Sequence, residues 1–176
     1  MSSDVKFRSI PDSVYMDRGN QLVAETFDTL RSSLLSAIGS EGMDGAIEFC
    51  NEQAYVLTGI LGDSVVIRRT SLLFRNPGNK PDSLERIVLD EMSDTQTPQP
   101  KLVHRQNGEV HFFKPILLQA MCLNCHGAPG TEIQPATRNA ISQHYPNDSA
   151  INFKVGDLRG AWHIIFNPET KKERKE

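Results

Sequence analysis

The chain has 176 residues, with 19 Lys and Arg against 22 Asp and Glu and a formal net charge of −3. A hydrophobic share of 38% with 23% charged residues suits one folded domain with its own core and excludes general disorder. The near-balanced charge excludes a dedicated nucleic-acid binder, three cysteines exclude a disulfide-rich scaffold, and no apolar run approaches the roughly 18–20 residues that cross a bilayer.

The first ten residues hold no apolar stretch of the kind that marks a signal peptide, and residues 1–13 read as an N-terminal arm. Val23, Phe27, Leu30, Leu34 and Ile38 recur at steps of three and four, which predicts an amphipathic helix over roughly 14–38. Gly39 and Gly42 punctuate it. Met43, Ile47, Cys50, Ala54, Leu57 and Leu61 then predict a second helix over roughly 44–60, with Cys50 in the middle of its apolar face. Val65-Val66-Ile67 reads as a strand. A turn-rich loop over 76–82 follows, in which Asp82 or Ser83 can cap a helix over about 83–93.

Two prolines break the chain between Thr95 and Pro100. Leu102–Arg105 and Val110–Lys114 flank Gln106-Asn107-Gly108-Glu109, a hairpin signal. Residues 127–135 read as a loop and Ala136–His144 as a short helix. Ile151–Phe153 and Ala161–Phe166 read as further strands joined by a turn at Val155-Gly156-Asp157, with Trp162 and Phe166 as core. The mixed-charge residues 168–176 read as a solvated tail. The expectation is a single α+β domain over 14–167, an antiparallel sheet with N-terminal helices packed on it.

Chemistry enters with Cys122-Leu123-Asn124-Cys125-His126, the attachment pattern for c-type haem. Two thiols three positions apart reach the two vinyl groups of one porphyrin, and the adjacent imidazole then lies beneath the iron. Cys122 and Cys125 are the expected thioether anchors and His126 the proximal ligand. Chance supplies this match in about one chain in 700 of the same composition. Structural zinc would recruit a second spaced pair, and a redox dithiol would need a βαβ setting; neither is visible. For the sixth ligand, Cys50, Met43, Met92, Met121, His104, His111, His144 and His163 are formal candidates, and spacing does not decide among them.

Beyond this motif, several ordered blocks carry a family resemblance. They are Gly45–Cys50, Arg69-Thr70-Ser71-Leu72 with Arg75-Asn76-Pro77, and Lys114-Pro115 ahead of Cys122–Gly127. Tyr145-Pro146 with Asp148-Ser149-Ala150, and Gly156–Ala161, continue the series. Over roughly residues 20 to 166 the chain resembles the family of single-haem c-type cytochrome domains with a PAS-like fold, found alone or as extracytoplasmic sensor modules. The resemblance implies a PAS-like antiparallel sheet and a His/Cys pair of axial ligands, with Cys50 at the family's ligand cysteine. It departs at Tyr55, where the family usually has Pro, and at Asn152-Phe153, which replaces a common Gly-Tyr. Arg69, Arg75 and Arg159 lie in the resembling blocks and are the candidates for contacts to the haem propionates.

A thiolate ligand stabilises ferric over ferrous iron and lowers the reduction potential, so reduction favours protonation and loosening of the bond to Cys50. The expected function is a redox or diatomic-gas sensor, taking NO, CO or O2, on a helix that moves with Cys50. A low-potential periplasmic electron-transfer cytochrome is the alternative. An enzyme such as a peroxidase ranks below both, since no distal catalytic pair can be assigned. Either leading reading implies a redox or signalling protein partner. Covalent haem attachment takes place outside the cytoplasm, so a periplasmic or otherwise extracytoplasmic protein is expected, its export signal absent from this chain.

Overall fold

In the computed structural model, which describes residues 10–52 and 65–168, the chain enters as one long helical run, α1 (Asp12–Glu52). The two predicted helices are thus continuous through Gly39. The Ser40 hydroxyl donates to the Ser36 carbonyl at 3.0 Å within an unbroken turn, and only Gly42 leaves helical geometry, at φ 70° and ψ −160°. That conformation is open to glycine at little cost and kinks α1 into limbs over 12–41 and 43–52. The predicted continuation through Ala54, Leu57 and Leu61, and the departure at Tyr55, lie outside the described residues, as do most of the predicted arm and tail.

The remaining elements are β1 (Val65–Thr70), α2 (Ser83–Ser93), β2 (Lys101–His104), β3 (Val110–Leu117), α3 (Leu123–His126), α4 (Pro135–His144) and β4 (Leu158–Phe166). The strands form one antiparallel sheet in the order β1–β4–β3–β2. Its hairpin β2–β3 turns through the predicted Asn107-Gly108, with Gly108 at φ 88°. Helix α2 starts in the capping box anticipated at Asp82. The Asp82 carboxylate accepts from the Glu85 backbone N–H at 2.8 Å, and Glu85 accepts from the Asp82 N–H at 2.9 Å.

Both faces of the sheet are covered, as alternation along β4 requires. Trp162, Ile164 and Phe166 pack with Ile67 and Phe112 under Val23 and Leu30 of α1. Ala161 and Phe113 pack on the opposite face against Val88, Leu89 and Met92 of α2. The second limb of α1 leaves the sheet and docks Ile47 against Ile133, Ala140, Ile141 and Tyr145 beside α4.

Residues 151–153 are not a strand. Asn152 takes a left-handed conformation at φ 65°, its N–H donates to the Gly127 carbonyl, and the Phe153 N–H donates to that of His126. The backbone groups that a ladder would use are spent on holding the haem-type motif, and Asn tolerates that φ better than most side chains. Among the described residues no helix is long and apolar enough to cross a membrane.

Candidate functional site

Cys122 and His126 are placed by two consecutive short helical pieces, a 3-10 turn over Ala120–Cys122 and α3. A helical turn brings positions three apart to one side, so Cys122 and Cys125 share a flank of this segment. Leu118, Ala150 and Phe153 cluster beneath it and hold Cys122 and Leu123 in contact.

A cavity opens between this segment, the sheet and α1. Its walls include Cys122 and His126 from the motif, Cys50 and Phe49 from the second limb of α1, and Phe27, Leu30 and Leu34 from the first. The sheet contributes Arg69, Thr70, Arg159, Gly160 and Trp162 to the same space. This explains a departure from simple amphipathicity: Phe27, predicted as part of the apolar stripe, is 40% exposed because it lies on the cavity wall rather than on the sheet. Gly160 is needed where β4 passes β1, because a Cβ there would meet the Thr70 carbonyl oxygen at 2.3 Å.

His126 is held for a definite chemistry. Its Nδ1 lies 2.7 Å from the Ala150 carbonyl oxygen, so Nδ1 carries the donated proton and Nε2 keeps its lone pair. Burial, reinforced by the Arg159 and Arg75 charges, pushes its pKa well below the usual imidazole value and keeps the ring neutral. The Phe153 ring meets it edge-on at 6.3 Å, and the Arg159 guanidinium carbon lies 5.5 Å from the centroid of that same ring.

No disulfide joins any two of the three cysteines. Burial raises the pKa of Cys50, opposed by the charges of Arg69 and Arg75, and burial likewise raises that of Cys125, where Arg75 again opposes it.

The three arginines divide. Arg69 and Arg159 line the cavity; the Arg69 guanidinium carbon sits 5.9 Å from the Trp162 ring centre. Arg159 donates from Nη1 to Ser71 Oγ at 2.8 Å and to the Leu73 carbonyl at 3.0 Å, while its Nε is shut from solvent without a hydrogen-bond partner among the described residues. Burial, with the Arg75 and Arg69 charges, brings its pKa down to about 10, which leaves it cationic at neutral pH. Arg75 does not line the cavity. It clasps Asp148 through Nε at 3.1 Å and Nη2 at 3.2 Å, and Nη2 also donates to the Cys125 and Ala150 carbonyls. Arg75 therefore works as a brace under the motif.

The other formal iron ligands are dispersed. His111, His163 and Met92 are buried toward α2, on the far side of the sheet, and His104 pairs with Asp12 at 3.0 Å near the hairpin. Met121 alone of that group lines the cavity. Asp148 and the Ala150 carbonyl are the site residues that spacing did not single out, although both stand in a block that carries the resemblance.

A haem fits this donor set. A thiol and a lone-pair-bearing imidazole meet one cavity, apolar side chains line it, and an arginine at its edge has a buried donor to give. No curated protein matches the chain. The crystal structure of the cyanobacterial heme-protein Tll0287 is similar, with a TM-score of 0.63 at 23% identity over 92% of this chain and 98% of that one. At that identity the likeness is one of fold. Residues 15–167 match the model of the Tll0287-like family, and the chain belongs to that family.

Proposed function

We propose that the chain is a c-type haem protein with a PAS-like domain, a single haem joined covalently to Cys122 and Cys125, and His126 and Cys50 as axial ligands. The observation that carries this reading is the meeting of Cys50, Cys122 and His126 on one cavity, with His126 Nδ1 already committed to Ala150. The similar solved structure being that of a heme-protein supports it. Bound there, the group supplies a one-electron redox centre.

The chain's own residues do the rest. Ala150 orients the imidazole. Arg159 and Arg69 offer cationic donors to propionates, and Phe27, Leu30 and Trp162 keep water from the ring. Cys50 stands on the limb beyond Gly42, which favours a sensor in which a change at the thiolate moves that limb, with a diatomic gas taking the position that Cys50 vacates. The exposed rim residues Leu117 and Met121, at 45% and 40%, favour the second reading, a low-potential electron-transfer cytochrome. We place the protein outside the cytoplasm, where such haem attachment occurs, with a signalling or redox partner and no enzymatic role.

The test is the ferric absorption spectrum of protein matured with the haem-attachment machinery, beside Cys50→Ala. Loss of a thiolate signature in the variant supports the reading; an unchanged spectrum overturns Cys50 as ligand. Haem that stays on the denatured chain, and leaves it in Cys122→Ser with Cys125→Ser, checks the covalent bonds. Gas binding to ferrous protein separates sensor from carrier.

A further inference from the structure

Behind the cavity wall, on the α2 face of the sheet, four ionisable side chains join in an unbroken row. Glu85 Oε1 lies 2.7 Å from His163 Nδ1, and His163 Nε2 lies 2.8 Å from His111 Nδ1. His111 Nε2 lies 3.2 Å from Glu109 Oε2 at the hairpin surface. At the inner end, Thr70 Oγ1 donates to Glu85 Oε2 at 3.1 Å, and Thr70 itself lines the cavity. Glu85 and His163 are 0% and 1% exposed.

The row has three links between ionisable groups, and two neutral imidazoles with two carboxylates bring only two protons to them. Filling every link takes one more proton, which makes one of the rings an imidazolium between two carboxylates. The cationic Arg68, whose Nε lies 3.2 Å from Glu85 Oε1, then neutralises the set. The other groups facing it are Arg105, near His111 and Glu109, the Asp82 backbone N–H on Glu85, and the Phe113 ring stacked on His163 at 4.2 Å.

We propose that Glu85, His163, His111 and Glu109 form a proton store, connected to the cavity through Thr70, that gains a proton when negative charge enters the cavity and returns it when that charge leaves. The proton comes from water at the Glu109 end and adds to His111 Nε2, while the proton on His111 Nδ1 moves to His163 Nε2. No heavy-atom bond changes and no electron is taken by the row. Burial lowers the pKa of His111 against the pull of Glu109, so the store is readily discharged near neutrality and has room to fill. The charge that fills it is the electron of the haem reading above, and the proposal rests on that reading for its trigger.

The experiment reduces haem-loaded protein stoichiometrically with photoreduced methyl viologen, which carries no proton, in weakly buffered solution at about pH 6 with an indicator dye. Wild-type protein takes up protons. His163→Gln, and the more peripheral His111→Gln, lose more than half of that uptake with an unchanged haem spectrum. Equal uptake in wild type and both histidine variants overturns the store. In haem-free protein, 15N NMR of the imidazoles tests the row by itself. One proton titrating over both rings upholds it and two independent titrations overturn it, so a chain that takes no haem fails the earlier reading alone.

Discussion

On the α2 side of the sheet, Glu85 and His163 are fully buried, and each of their side-chain polar atoms has a partner. On the cavity side, Arg159 has an equally hidden Nε to which none of the described residues offers an acceptor. One sheet thus carries two kinds of interior charge. A network whose heavy atoms are all partnered holds the fold together and can change only by a proton. An incomplete one marks the side on which a ligand with anionic groups is expected, because a desolvated donor without a partner costs free energy until something supplies one.

The sharpest way to break this contrast is Glu85→Ala. It strands His163, Arg68 and Thr70 beside a hole and is expected to destabilise the protein by about 3–5 kcal/mol in a urea titration. A loss under 1 kcal/mol would mean that the network is as open as the cavity side. Gly160→Ala drives a methyl into the Thr70 carbonyl between the two regions. An expected loss of about 1–3 kcal/mol should appear in the same titration whether haem is present or not. Arg159→Met gives up two hydrogen bonds but relieves the stranded Nε, so haem-free protein should shift by about 1 kcal/mol or less. Haem-loaded protein should lose more, and equal effects in the two forms would refute the assignment of Arg159 to the ligand.

For His111, whose folded pKa is depressed by burial, the unfolded chain takes the proton first, so stability falls as pH drops through the ordinary value of 6.5. Burial acts to raise the pKa of Glu85, but the hydrogen bonds from His163 and the Asp82 N–H, with the His163 and Arg68 charges, outweigh it and hold it below 4.5. Its contribution is present above that value and is lost on acidification through the lower folded one. Urea midpoints should therefore fall in two stages below neutrality, and His111→Gln should remove the first.

How much of this was legible depended on distance along the chain. The Asp82 cap, the Asn107-Gly108 hairpin and the Cys122–His126 motif are local, and each was readable because its partners lie within a few residues. The Arg75–Asp148 brace joins residues 73 apart and the Glu85–His163 link residues 78 apart, so no spacing rule reaches them. The strand expected at Ile151–Phe153 fails for the same reason. A short run of strand-forming side chains was outbid by bonds to Gly127 and His126, which only the folded motif provides. Gly39 and Gly42 look alike in sequence, yet the helix bends at Gly42 and runs straight through Gly39.

The bend at Gly42 has a mechanical consequence. Cys50 lies eight residues beyond it, roughly 12 Å along the helix axis at 1.5 Å per residue. A swing of about 10° at that pivot carries the sulfur through about 2 Å. A small change in two backbone torsions is enough to shift the thiol by an atomic diameter against the cavity, and any displacement of the thiol is returned to the pivot as a rotation of one limb of α1 against the other.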